Sequence, residues 1–309
     1  MKVTTVARPG PVSHAIDQKI TSDITTALQQ VRTVGSTFIV NDTPWYAVTD
    51  RAKVTPCVMN SAKFISGQFL KNLTAFGWSR EKEIVEQKID AYISIPESGQ
   101  AFRISSDKFL HFFEEYLTTP EGHNAAQEAG ALNRLFSRLY ESFVSRPFVH
   151  PGQMSAVLQK HAQPVPESVT VRVGLEFETG NIASSFRSLY KLGFLYNEGE
   201  IDAGVFITSI DKNSCATRIW PASNRNGSFQ ELQQRNYKRM VVLPLWEFGF
   251  APDGFSSTAG YLGSDGNLYV PSATKSSHLY NSVAYDVYVG EREKKVLKRV
   301  QPLLPPGTP

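Results

Sequence analysis

Glu176 and Glu178 stand two residues apart at the end of the run Val169–Glu178. Val169, Val171, Val173, Leu175 and Phe177 alternate there with Thr170, Arg172, Gly174, Glu176 and Glu178. A period of two predicts a strand with one buried face, so both carboxylates leave the same side of it. Like charges that close repel, and burying them without compensation is costly. A cation between them relieves both costs. Ligands that are all oxygen favour a hard divalent ion, Mg²⁺ first, with Mn²⁺ as a substitute. The bland alternative is a strand whose polar face is wet and whose glutamates are merely solvated.

Three neighbouring features favour chemistry. Glu167 lies nine positions before Glu176, behind Pro164 and Pro166, and offers a third carboxylate. Gly180 and Asn181 break the strand just after the acids. A helical pattern over Ala183–Tyr196 and a second apolar strand over Ile201–Ile210 follow at once.

This stretch resembles the catalytic core of type II restriction endonucleases of the PD-(D/E)xK superfamily, nearest to the BamHI/BglII type. The residues that carry the resemblance are Glu167, Glu176-Phe177-Glu178, Gly180-Asn181, a helix with Arg187, Leu189 and Lys191, and Ile201–Ile207 with Asp202. The usual pattern has one acid on a first strand and D/E-x-K on the next. In the BamHI type a glutamate replaces the lysine, and Glu178 stands at that place. Glu176 takes the middle acid, and Glu167 is the best-spaced first acid, although that position is usually Asp. Asp90, inside a predicted strand over Gln87–Ile95, is the reserve.

The resemblance implies an α/β (α+β) fold, a mixed central β-sheet flanked by helices. It implies a Mg²⁺-dependent enzyme that cuts double-stranded DNA at a short, palindromic site, defends against foreign DNA and works as a homodimer. Glu167 and Glu176 would bind the metal, joined by the Phe177 carbonyl, and Glu178 would act on the attacking water. Arg187 and Lys191 are i, i+4 on one face of the following helix and suit the DNA backbone or a partner subunit. Asn224, Arg225 and Asn226 form a loop with the donors that read guanine and adenine edges, and Lys275 is a weaker candidate. His150 and His161 lie near the site in sequence and are candidate bases or ligands. Two rivals remain: a non-catalytic DNA-binding protein on the same fold, and a glycosidase that uses the carboxylate pair.

Composition limits the choices. The 309 residues are 41% hydrophobic, enough for a substantial core, and carry a formal net charge of +3. Mild basicity permits a polyanionic partner, because local clusters can meet phosphates. Cys57 and Cys215 have no metal-ligand spacing, and a reducing cytoplasm is the expected setting. No apolar run approaches a membrane span or a secretion signal.

The elements that must position the acids are expected as follows. One domain covers 1–309: residues 1–150 are mainly helical, and 151–300 hold the catalytic core and the DNA-reading loops. Met1–Ser13 reads as an extended arm. Ala15–Val34, Asn60–Trp78, Ser106–Leu117 and Asn124–Val144 read as helices. Thr37–Val40 and Trp45–Val48 read as a hairpin, and Met240–Trp246 as a central strand. Phe229–Arg239 reads as a charged helix and Glu291–Val300 as a charged helix start or tail. The aromatic stripe Phe109, Phe112, Phe113 and Tyr116 reads as core rather than as a platform for bases.

Overall fold

A computed structural model of the chain describes residues 1–7, 12–41, 45–48, 54–56, 61–149, 155–179, 182–210, 229, 232–233, 243–263, 266–269, 275–280, 283–289 and 295–299. Six strands form the central sheet: β1 (Lys2–Ala7), β2 (Ser79–Ile84), β3 (Gln87–Glu97), β4 (Val169–Phe177), β5 (Ala203–Ser209) and β6 (Leu245–Ala251). Their order is β1-β6-β5-β4-β3-β2. The three central strands β6, β5 and β4 run parallel, and β1, β3 and β2 add antiparallel pairings outside them. The sheet is mixed and flanked by helices, as expected.

Three of the six strands fall within the first 150 residues, so the sheet draws on both halves of the chain. The expected arm is in fact an edge strand. Lys2–Ala7 pairs along its whole length with β6, which satisfies its backbone where a free arm would rely on water.

Helices α1 (His14–Gln29) and α2 (Ala62–Leu73) cover one face of the sheet. Each is capped by a serine whose hydroxyl accepts a backbone N–H, Ser13 from Ile16 and Ser61 from Lys63. Ile16, Ile20, Ile24, Phe64, Phe69 and Leu70 pack there against Val171, Val173, Leu175, Val205 and Phe248. The helix over Asn60–Trp78 ends sooner than expected, passing into a 3-10 turn at Thr74–Phe76 and then Gly77 at φ 90°.

The other face of the sheet is not wet. Helix α7 (Ile182–Asn197) lies over it, with Leu189, Leu192, Leu195 and Tyr196 packed around Ile89, Ile201 and Phe206. Gly174 lets that helix approach: a Cβ there would come within 3.3 Å of Leu192 and of Ile201. Ile89 therefore belongs to this second core and not, as its alternation suggests, with Ala91, Ile93 and Ile95. Nearby, the partner strand carries Glu81 at φ 50°, between Arg80 opposite Ala91 and Lys82 opposite Ile89.

Between β3 and β4 the chain builds an inserted unit with its own core. It contains α3 (Ser106–Leu117), α4 (Pro120–Ala129), α5 (Leu132–Tyr140) and α6 (Ala156–His161). Phe109, Phe112, Phe113, Leu135, Leu139 and Phe143 are buried together, so the aromatic stripe is core. The expected helix over Asn124–Val144 is broken. Gly130 takes φ 68° and Ala131 is extended, which stops α4 by a left-handed cap and restarts the chain as α5.

Two further expectations change. Ile39–Val40 pairs with Gly254–Phe255 rather than with Trp45–Val48, so no hairpin forms. Lys295–Arg299 is a strand between Val283–Val289 and Trp45–Val48, not a helix, because its backbone finds ladder partners on both sides. The helix expected over Phe229–Arg239 falls largely outside the described residues. Leu245–Ala251 is the strand expected a few residues earlier.

Candidate active site at the carboxyl end of the fourth strand

The acids sit where β4 ends between its two neighbours. Parallel pairing places Glu176 opposite Phe206 and Phe177 opposite Ile207 of β5. The Glu178 N–H still donates to the Ile207 carbonyl at 2.8 Å, so β5 holds the backbone through all three residues. On the other side the antiparallel register reaches Leu175 opposite Ala91 of β3. The next residue of β3 is Asp90. Its Oδ2 accepts the Phe177 N–H at 2.8 Å, so the carboxylate ties itself to the strand that bears Glu176.

Burial sets the electrostatics. Glu176 is only 4% exposed, covered by α7 on the second face of the sheet. That burial, with the negative charge of Asp90 beside it, pushes its pKa up to about 7, against the pull of Lys191 and Ser188. Burial also raises the Asp90 carboxyl, opposed by the Phe177 N–H and by Lys191. A carboxyl so placed is disfavoured in its charged form, the kind of perturbation expected where a protein does chemistry.

Two side chains of α7 reach the acids. Lys191 Nζ lies 2.6 Å from Glu176 Oε1 and donates to the Lys88 carbonyl at 2.6 Å. The ion pair is close, and among the described residues no other donor reaches Oε1, which is buried. Ser188 Oγ donates to Glu178 Oε2 at 3.3 Å. Phe177 is fixed on the opposite face of the sheet, its ring centroid 5.4 Å from that of Phe69 and 5.2 Å from that of Phe250.

Other expected residues lie elsewhere. Glu167 sits before the first residue of β4 and pairs with Arg103 Nη2 at 2.8 Å, half exposed. The strand from Val169 to Glu176 alone spans about 23 Å and Glu167 precedes it, too far to share an ion. Arg187 is exposed and hydrogen-bonded to Ser184 of its own helix. Its expected companion Lys191 turns into the acids instead of outward. Lys275 opens the strand Lys275–Tyr280. Asn224, Arg225, Asn226 and His150 lie outside the described residues. His161 belongs to the inserted unit, bonded to Glu115 at 2.9 Å and set edge-on to Phe112.

Asp90 was readable as an anomaly, an acid within a strand of apolar alternation. The direction of Lys191 carried no comparable signal. Its spacing from Arg187 argues for a shared outward face.

The donor set fits a hard divalent cation in one respect. Asp90 and Glu176 adjoin, and the buried Glu176 Oε1 meets only the Lys191 ammonium among the described residues. Mg²⁺ is commonly held by one or two carboxylates, the rest of its shell being water and phosphate oxygen. Among the described residues, however, no three His, Cys, Asp or Glu side chains converge as a ready-made cage. An ammonium, Lys191, stands against Glu176 instead.

Comparison with known proteins identifies a family. The family model for the restriction endonuclease BamHI matches residues 3–267, which include Asp90, Glu176, Glu178 and Lys191. The type II restriction enzyme BamHI of Bacillus amyloliquefaciens is 32% identical over 104 residues, covering 33% of this chain and 46% of that enzyme. The aligned segment thus spans about half the length of that relative. With the family model matched along most of its length, the chain belongs to the BamHI restriction endonuclease family.

Proposed function

We propose that the protein is a type II site-specific deoxyribonuclease. It hydrolyses phosphodiester bonds of double-stranded DNA at a short palindromic sequence, requires Mg²⁺ and acts as a homodimer. The observation that carries this reading is the pair Asp90 and Glu176, held side by side at the end of the central sheet in a chain of this family. Glu167 is replaced by Asp90 as the first acid.

Asp90 and Glu176 would hold the cation, with the Phe177 carbonyl as a further oxygen. When bound, the cation would supply Lewis acidity toward the phosphate and lower the pKa of a water. Glu178, restrained by Ser188, would orient the attacking water and accept its proton. Helix α7 opens four residues beyond Glu178, so its amino end and Ser184 are placed to favour a phosphate. Arg187, exposed on that helix, would meet the DNA backbone. Asn224, Arg225 and Asn226 would read base edges, and Lys275 would support them. A two-fold dimer matches a palindromic site because each copy reads one half.

Among the described residues no helix is long and apolar enough to cross a membrane. Action on DNA in the cytoplasm, as a defence against foreign DNA, is the setting we propose.

The test is to incubate purified protein with plasmid DNA, with and without Mg²⁺. Discrete fragments that need the metal support the proposal and report the recognition site. A smear would mean a nonspecific nuclease, and intact DNA under all conditions would count against catalysis.

A further inference from the structure

The reading of Asp90 and Glu176 as the cation site leaves one charge unexplained, the ammonium already seated there. We infer that Lys191 is the resident counter-ion of the acid pair, and that a divalent cation must displace it to bind. This inference rests on the proposed cation site.

Four observations lead to it. Lys191 Nζ is 2.6 Å from Glu176 Oε1, inside the distance at which a second cation could share that oxygen without strong repulsion. Among the described residues no other donor reaches the buried Oε1, so Lys191 is the cation set against it. The same ammonium favours the charged form of Asp90, so one cation serves both acids. Finally, no third carboxylate closes the site among the described residues, which leaves Lys191 as the group that balances it.

The placement also allows departure. Lys191 reaches the acids from the middle of α7, and its side chain keeps 23% of its surface exposed. Four flexible methylenes let the ammonium swing toward water without moving the helix. Its second anchor, the Lys88 carbonyl, is a neutral acceptor at the start of β3 and holds it only modestly. Lys191 is therefore a positioning residue. It keeps two buried carboxylates together until a better cation arrives.

The experiment uses the full chain without DNA, so cleavage does not enter the readout. Ca²⁺ is titrated by calorimetry into the native protein, Lys191→Met, Lys191→Gln and Glu176→Gln, with circular dichroism confirming the fold of each. Both lysine variants should bind Ca²⁺ at least about fivefold tighter, since a like charge beside the ion has gone. Unchanged or weaker binding in a folded lysine variant, with native binding abolished by Glu176→Gln, would overturn the role of Lys191 alone. Absence of Ca²⁺ binding in every form would overturn the cation site itself, and this inference with it. A second measurement needs no lysine variant. Acetylation of Lys191 by acetic anhydride, followed by mass spectrometry, should rise when Ca²⁺ is added to the native protein and stay constant in Glu176→Gln. A fall, or no change in the native protein, would contradict displacement.

Discussion

Strand β4 carries a charged cluster at each end, and the two are built differently. Toward its start, Arg172 donates its backbone N–H and Nε to Asp202 Oδ2 at 2.8 and 3.0 Å, and Nη2 to Oδ1 at 3.1 Å. Arg146 joins the same carboxylate through Nη1 and reaches Glu141 Oε1 through Nε at 2.8 Å. Two guanidinium groups face two carboxylates, and Asp202 holds the Arg172 pKa above its ordinary value. This cluster fastens the inserted unit, to which Arg146 and Glu141 belong, to the central sheet. Toward the end of β4, Asp90 and Glu176 lie side by side, Glu176 meets the ammonium of Lys191, and Glu178 takes a hydrogen bond from Ser188.

Charge balance, rather than charge or concavity, distinguishes the start of β4 from the proposed catalytic end. A cavity of about 220 Å³ opens at the balanced end, lined by Arg146, Arg172, Asp202, Glu97 and Tyr196, and not at the acids. A satisfied ion network gains orientation and holds elements in register. A surplus of buried negative charge is costly unless a ligand is meant to relieve it. The two ends therefore predict opposite consequences when a carboxylate is removed.

The largest contrast should appear in cleavage. Glu176→Gln and Asp90→Asn should each lower the rate of plasmid cutting at least about a thousandfold, because holding and activating groups are lost with the carboxylate. Retained cutting in either variant would remove that acid from the mechanism. At the balanced end, Asp202→Ala should leave two partly buried arginines without their shared partner. It should cost about 2–3 kcal/mol in urea melts, less than for a fully buried network because a fifth of the side chain is exposed. Cutting per folded molecule should stay within about twofold of native. A large loss of activity with unchanged stability would erase the distinction drawn between the ends.

The pH dependence sharpens it further. Glu176 titrates near 4.5 in an unfolded chain and at about 7 in the folded one. Between those values the folded protein binds more protons, so stability of the metal-free protein should fall as pH rises from about 5 to about 7 and then level. The span is at most roughly 3 kcal/mol, and the raised Asp90 carboxyl acts in the same direction. Melts in chelator from pH 5 to pH 8 should show this slope in the native protein and a shallower one in Glu176→Gln. Parallel curves would mean that Glu176 is not buried as described. The smallest effect belongs to Glu167→Ala. Its pairing with Arg103 is exposed, so its loss should change stability by less than about 1 kcal/mol and leave cutting intact. Lost cutting there would restore Glu167 as the first acid.

Much of the local structure was legible. The alternation of Val169–Phe177 marked β4, and the three-to-four spacing of Ile16, Ile20, Ile24 and Leu28 marked α1, because each pattern reports which side of an element meets apolar neighbours. Ser106–Leu117 was legible to the residue. Lys295–Arg299 and Ser79–Ile84 were not, since charged strands owe their ladders to partners distant in sequence. The long helix of the inserted unit hid its break, because one glycine is a weak local signal until a left-handed turn is needed.

By itself the sequence determined that two glutamates share one side of a strand and that a basic helix follows. These follow from pleat and turn geometry, which act over a few residues. Only the tertiary structure decided which acid joins them. Antiparallel pairing of β3 with β4 brings Asp90 to Phe177 from 87 positions away, whereas Glu167, nine positions from Glu176, is carried off by the length of an extended strand. It also decided that Lys191 turns inward, because a long flexible side chain follows the nearest uncompensated charge, and that charge exists only once the strands have paired.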